Sequence, residues 1–268
     1  MGKFSKQGAL LAVGLSSLIL LASGCSASTV EAVGGPTSTV SAVPAVSATP
    51  TAAAKLFSVG GSLNTKLIPG VTVKTSKGAY LQAAIDPTDK VFQYDPKLVE
   101  AGVLDQWSVE DITAAQKFMV NFALTELIDT PLNGQAETPD QWYTRNVDKF
   151  LPIWHEDLRK IIGSVDENGE STSIVTEQAW MAAKGIEYRY GADQPRMIGM
   201  EMAPTKYAVT PEGYLSIYFN ALFVMSTEEG TADNQIDTNS NMQFAVLKTE
   251  DGSFVFNEAN NNYSYNHH

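Results

Sequence analysis

The stretch Tyr214–Met225, YLSIYFNALFVM, alternates between two kinds of side chain along most of its length. Every second residue from Leu215 to Met225 is apolar, whereas Ser216 and Asn220 share the other parity. Because successive side chains of a β-strand point to opposite faces, this alternation predicts a strand with one continuous apolar face. Such a strand usually belongs to an antiparallel sheet that packs on a second layer.

The sequence on both sides of this strand predicts a meander. Three more segments have strand character: Met197–Val209, Met242–Thr249 and Ser253–Asn257. Residues 210–213, Thr-Pro-Glu-Gly, have the proline and glycine of a tight turn. Asp251-Gly252 is a strong hairpin signal. We also expect a bulge near Pro204 and a polar loop over Ser226–Asn241.

Helices are predicted before the meander. Ser108 and Asp111 form a near capping box, and apolar residues with helical spacing follow as far as Ile128. A second cap, proline and glutamine stand at residues 138–141, Thr-Pro-Asp-Gln. After a break at Pro152, a third helix is expected over Ile153–Ile162, stopped by Gly163.

The region before the helices, residues 55–107, is predicted to be β-rich. Short strands are expected over Val71–Thr75, Ala79–Ile85 and Lys90–Tyr94. A Lys77-Gly78 turn joins the first two. This region is either a separate small unit or part of one domain with residues 108–265.

Helices followed by an antiparallel sheet indicate an α+β fold. This order, over residues 108–265, resembles the nuclear-transport-factor-two-like, or cystatin-like, cone. The resemblance implies helices on the concave face of a curved antiparallel sheet, with a pocket at the open end. Candidate residues for lining that pocket are Trp154, His155, Tyr207 and Tyr218. In cell-envelope proteins such domains are commonly non-enzymatic, whereas the enzymes of this fold use Asp, Tyr or His inside the pocket.

The N-terminus has the layout of a secretory signal peptide: Lys3 and Lys6 precede the apolar run Leu10–Ala22. Residues 21–25, LASGC, resemble the lipobox of bacterial lipoproteins. The resemblance implies removal of residues 1–24, a diacylglycerol anchor on Cys25, and a location on the extracytoplasmic side of the cell membrane. Residues 25–54, rich in Ser, Thr, Ala and Pro, are then expected to form a flexible tether.

The composition and the motifs of the sequence exclude several classes of binding site and of catalytic site. The net charge of −12 does not fit a nucleic-acid-binding surface. Cys25 is the only cysteine, and neither a nucleophile motif nor a phosphate-binding glycine pattern occurs, so we expect no cofactor. His155 has acidic neighbours, but adjacent residues on a helix do not face each other. Residues 237–241, Asp-Thr-Asn-Ser-Asn, open like a calcium loop but lack its glycine and final glutamate.

Three functions remain open at this point. The first is a non-catalytic lipoprotein whose domain binds a protein partner or a small apolar ligand. The second is a pocket enzyme on the same fold, of the isomerase or dehydratase kind. The third is a phage- or plasmid-type surface lipoprotein that modulates an envelope complex. Fold resemblance alone does not separate them.

Overall fold

The computed structural model describes residues 63–133, 136–162, 164, 187–227 and 235–267, and its first two strands form a β-hairpin. Strands β1 (Leu67–Thr75) and β2 (Gly78–Ile85) pair antiparallel, which confirms the two strands and the turn predicted there. The signal segment, Cys25 and the tether lie outside the described residues.

The strand predicted over Lys90–Tyr94 is wrong, because Lys90–Phe92 is a single turn of 3-10 helix. The Asp89 carboxylate accepts hydrogen bonds from the backbone N–H of Val91, at 2.8 Å, and of Lys66, at 2.7 Å. A capping aspartate of this kind curls the backbone locally, and this effect outweighs the β-propensity of a short apolar run.

The first predicted helix is confirmed. After the single turn α1 (Val103–Gln106), helix α2 spans Val109–Phe122 and continues as a π-helical segment over Ala123–Ile128. Ser108 Oγ accepts a hydrogen bond from the backbone N–H of Asp111 at 3.1 Å, as the cap predicted.

The second and third predicted helices are also present. Helix α3 (Pro139–Asn146) begins with a complete capping box between Thr138 and Gln141. Helix α4 (His155–Ile161) follows a 3-10 turn at Pro152–Trp154, so the third helix starts slightly later than expected. The predicted stop, Gly163, lies outside the described residues.

The strands form two sheets. In the smaller one, β3 (Gly191–Pro195) pairs parallel to β2, which gives the order β1-β2-β3. The larger sheet has the order β4-β5-β6-β7 and is antiparallel throughout. Its strands are β4 (Met197–Val209), β5 (Leu215–Ser226), β6 (Gln235–Lys248) and β7 (Phe254–His267). The described chain is therefore α+β.

The predicted turns and bulge of the meander are confirmed. Gly213 and Gly252 have φ values of 90° and 85°, a conformation that favours glycine, and each closes its turn. The register of β4 against β5 shifts between Pro204 and Lys206, which is the expected bulge.

The polar loop predicted over Ser226–Asn241 is partly wrong, because β6 already begins at Gln235. Its polar residues pair in continuous register with β5, from Ser226↔Gln235 to Asn220↔Asn241. Strand β7 likewise continues to His267 instead of ending at Asn257. The neighbouring ladder satisfies the backbone groups of these polar segments, and this outweighs their low β-propensity.

One hydrophobic cluster joins the hairpin, the helices and the larger sheet. Phe256 of β7 stands at its centre, with ring centroids of Phe122 and Phe150 at 4.6 and 5.3 Å. Ala83 and Ile85 of β2 belong to the same cluster, so the described parts of residues 55–107 and 108–265 share a core.

No helix in the described ranges combines the length and the hydropathy that crossing a bilayer requires.

Candidate functional site

One face of the larger sheet is almost entirely buried, and we call it the inner face. It carries alternate residues of the four strands, aligned across the sheet by the pairing register. Three of its rows define the region of interest: Pro204, Phe219, Met242, Asn261; then Met202, Ala221, Ser240, Tyr263; then Met200, Phe223, Thr238.

The apolar part of this region is rich in methionine. Five of the chain's eight methionines lie on the inner face and are buried: Met197, Met200, Met202, Met225 and Met242. Methionine is unbranched and polarizable, so a methionine-rich surface repacks readily around different shapes. Phe219 and Phe223 lie among them in the same rows.

Three polar side chains interrupt this apolar surface, and we call them the polar corner. Thr238, Ser240 and Asn261 are 0%, 3% and 8% exposed. The two hydroxyl oxygens and both polar atoms of the Asn261 carboxamide are buried without any hydrogen-bond partner. A buried polar group left unpaired costs about 1–3 kcal/mol, so four such atoms on one face of a sheet are unusual.

The register places the polar corner on one face of the sheet. Thr238 and Ser240 are two residues apart on β6 and therefore point to the same face. Ser240 pairs with Tyr263 and Met242 pairs with Asn261, so Asn261 is the diagonal neighbour of Ser240. Diagonal neighbours stand roughly 7–8 Å apart, whereas Thr238 and Asn261 are four strand positions apart, at roughly 14 Å.

A second buried polar cluster surrounds Arg196, which directly precedes β4. The Arg196 and Asp129 side chains are both fully buried. Arg196 Nε and Nη2 lie 3.0 and 2.9 Å from Asp129 Oδ1, and the backbone N–H of Ala83 donates to Oδ2 at 3.2 Å. The guanidinium carbon lies 3.4 Å from the centroid of the Tyr80 ring. Both charges are therefore compensated within the protein.

Burial has the largest effect on the pKa values of this cluster. Burial raises the pKa of Asp129 to about 6, while Arg196 and the Ala83 N–H act in the opposite direction. Burial also raises the pKa of Tyr80 above its usual range. The Tyr80 hydroxyl and Gln82 Nε2 donate to the Asp129 carbonyl at 2.9 and 2.8 Å. The cluster thus ties the end of the π-helical segment to β2 and to the start of β4.

Of the four residues predicted to line a pocket, Tyr207 and Tyr218 lie on opposite faces of the sheet. Tyr207 pairs with Ile217 on the inner face, is fully buried, and donates to Gln116 Oε1 at 2.7 Å. Tyr218 lies on the other face, where Lys206 Nζ is 4.1 Å from its ring centroid. The two tyrosines therefore do not line one pocket.

Trp154 and His155 lie beside β7, on the opposite side of the sheet order from Tyr207. Trp154 Nε1 donates to Asn257 Oδ1 at 3.3 Å, and His155 Nε2 is 3.0 Å from the Phe150 carbonyl oxygen. Glu156 pairs with Lys160 at 2.8 Å. The structure therefore does not bring the four predicted residues together, and it shows no acid–base pair at His155.

The calcium-like residues Asp237–Asn241 lie within strand β6, so their side chains alternate between the two faces and cannot converge on one ion. In the described parts of the chain, no group of three or more His, Cys, Asp or Glu side chains could hold a metal.

Comparisons with protein-family models, curated proteins and solved structures found no match. The candidate site therefore rests on geometry: a methionine-rich inner face with a polar corner whose hydrogen-bonding capacity is unused.

Proposed function

We propose that this chain is a membrane-anchored extracytoplasmic lipoprotein whose α+β domain is a non-catalytic binding module for a small, largely apolar ligand. The observation that supports it is the polar corner. Unpaired polar groups inside an apolar surface are typical of a ligand site, where a few placed polar groups orient an apolar molecule.

The chemistry of the polar corner favours binding over catalysis. Proton transfer requires a group whose pKa lies near the working pH, and neither hydroxyls nor carboxamides provide one. A catalytic serine requires a base within hydrogen-bond reach, but Ser240 Oγ has no hydrogen-bond partner. The side chains that define the polar corner are therefore suited to orient a ligand.

A cone-like arrangement is part of this proposal. Helix α2 packs on the inner face: Gln116 accepts a hydrogen bond from Tyr207, and the rings of Phe118 and Phe122 lie 4.7 and 4.6 Å from that of Phe256. The sheet has bulges on β4 and on β7, where Asn257 is the extra residue opposite Ala245 and Val246, and bulges bend the strands that carry them. Helices packed on a bent sheet are the arrangement that a cone-like fold requires.

The lipid anchor is tested by metabolic labelling with a radioactive fatty acid. We expect label on the wild-type protein and on a Ser28→Ala control, and none on Cys25→Ser, because the thioether requires the cysteine sulfur. Label retained on Cys25→Ser would contradict the anchor.

The binding module is tested with Nile red, a neutral apolar dye whose fluorescence rises in apolar surroundings. We expect saturable binding of one dye per wild-type chain. Ala221→Phe should abolish it, because Ala221 lies on the inner face between Met202 and Ser240. Asn220→Phe places the same ring on the exposed opposite face and serves as the matched control. Equal binding by both variants, or no saturable binding by the folded wild type, would overturn the proposal.

A further inference from the structure

We infer that the exposed face of the larger sheet binds an extended, uncharged polysaccharide. We call this surface the outer face, because it is the side of the sheet opposite to the inner face. It carries the exposed side chains of Asn220, Asn239, Asn241 and Asn262. The inference therefore concerns a second surface and goes beyond the proposed function.

The pairing register places these carboxamides side by side. Asn220 on β5, Asn241 on β6 and Asn262 on β7 are directly paired across three neighbouring strands. Asn239 stands in the next row of the same face, because residues two apart on a strand point to the same side. Adjacent strands lie about 4.8 Å apart, so the three paired asparagines form a line roughly 10 Å long. This line is an open surface and needs no cavity.

Asparagine is an unusual residue for these positions. It is depleted in strands, where β-branched and aromatic residues pack better on the pleated surface. Strands β6 and β7 nevertheless contain seven asparagines. Their alignment on the outer face is not explained by strand formation, and it favours a function for the amide groups themselves.

The amide groups of the outer face are available to a ligand. Within the described ranges, none of the carboxamides of Asn220, Asn239, Asn241 and Asn262 makes a side-chain hydrogen bond. Each has an acceptor oxygen and two donor hydrogens. Because these side chains are exposed, they are hydrated, and the hydroxyl groups of a ligand can replace that water.

The charges of the outer face favour a neutral ligand. The chain has a net charge of −12, yet the rows of Asn220 and Asn239 contain no charged residue on β5, β6 or β7. Lys206, on the edge strand β4, is paired with Glu100. An ionic ligand would lose hydration on this surface without gaining a counter-charge. A polyol matches it, because hydroxyl groups donate and accept as carboxamides do.

The pattern along β5 favours sugar rings among the neutral polyols. Asn220 lies between Tyr218 and Leu222, which are half-buried on the same face. Sugar rings likewise combine hydroxyl edges with apolar C–H faces, which pack on aromatic and aliphatic side chains. The distance between strands is close to the length of one ring in an extended β-1,4-linked chain, so successive rings can meet successive asparagines.

A second copy of this chain is the competing occupant. Two carboxamide surfaces can pair donors with acceptors, as asparagine ladders do in stacked sheets. Self-association depends on protein concentration and not on polysaccharide, so the two occupants predict different results.

The test is native affinity electrophoresis of the chain from Ser26 onward in gels that contain one polymer each. Hydroxyethyl cellulose and glycol chitin are neutral β-1,4-linked polymers, whereas carboxymethyl cellulose has the cellulose backbone with added carboxylates. We expect at least one of the two neutral polymers to retard the protein. Carboxymethyl cellulose should not retard it, because its carboxylates find no counter-charge on the outer face.

Two variants assign the binding to the line of asparagines. Asn241→Ala, at its centre, should weaken binding about 2- to 10-fold, as expected for the loss of one or two hydrogen bonds. The triple variant Asn220→Ala/Asn241→Ala/Asn262→Ala should abolish it. Gln106→Ala removes an exposed carboxamide from helix α1 and should bind like wild type. All variants should keep the urea unfolding midpoint of wild type, because the changed side chains are exposed.

Three results would overturn the inference. The first is that neither neutral polymer retards the wild type, and the second is that the triple variant is retarded equally. The third is a wild-type dimer in sedimentation velocity that the triple variant does not form, which would assign the outer face to self-association. The Nile red test is independent of these results, because Ala221→Phe changes the inner face.

Discussion

Two buried polar regions of this protein differ in whether their polar groups have partners. The Arg196–Asp129 pair carries full charges, and both are compensated by each other and by backbone groups. The polar corner carries only neutral groups, and their hydrogen bonds are not made. The opposite charges are therefore paired, although Arg196 Nη1 makes no hydrogen bond, whereas the neutral side-chain groups of the polar corner have no partner at all.

This contrast indicates different roles. Removing one partner of a buried ion pair costs about 3–5 kcal/mol, which is a large share of the stability of an ordinary domain, so this pair belongs to the framework. Unpaired hydroxyl and amide groups are tolerable, and they are useful only if something else pairs with them. We therefore treat the ion pair as structural and the polar corner as the site.

The largest predicted effect comes from breaking the ion pair. Arg196→Met should lower the free energy of unfolding by about 3–5 kcal/mol, because it leaves the buried Asp129 carboxylate without a counter-charge. Urea denaturation measures this loss. The double variant Arg196→Met/Asp129→Leu should regain a large part of it. If Arg196→Met lowered the free energy of unfolding by less than about 1 kcal/mol, the assignment of the ion pair as structural would be contradicted.

A smaller loss is expected at Gln116, a fully buried amide whose hydrogen bonds are made. It accepts from the Tyr207 hydroxyl and donates to the Val91 carbonyl. Gln116→Met leaves both partners buried and unpaired, and should cost about 2–4 kcal/mol in urea denaturation. If Gln116→Met did not change the free energy of unfolding, stability could not distinguish the hydrogen-bonded amide of Gln116 from the unpaired amide of Asn261.

Local signals in the sequence predicted much of the fold correctly. The caps at Ser108 and Thr138, the turns at Gly213 and Gly252 and the alternation along β5 each depend on interactions within a few residues. The start of β6 and the end of β7 depend on pairing with a neighbouring strand. Their polar composition predicts loops when each segment is considered alone.

The candidate site was missed for the same reason. Thr238 and Ser240 fell in the expected loop, and Asn261 lay beyond the expected end of the last strand. One signal was available: Ile236, Thr238, Ser240 and Met242 keep the same parity as the apolar residues that follow. Residue type alone does not predict which side chains line a site, because the register decides which face each side chain occupies.

The most direct measurement is the stability of Asn261→Leu without ligand. If the Asn261 carboxamide is unpaired in the native protein, its removal should raise the free energy of unfolding by about 1 kcal/mol. Asn262→Leu, on the exposed face, should stay within about 0.5 kcal/mol of wild type. A loss of stability in Asn261→Leu would show that this amide is already satisfied, and would contradict the assignment of the polar corner as an open binding site.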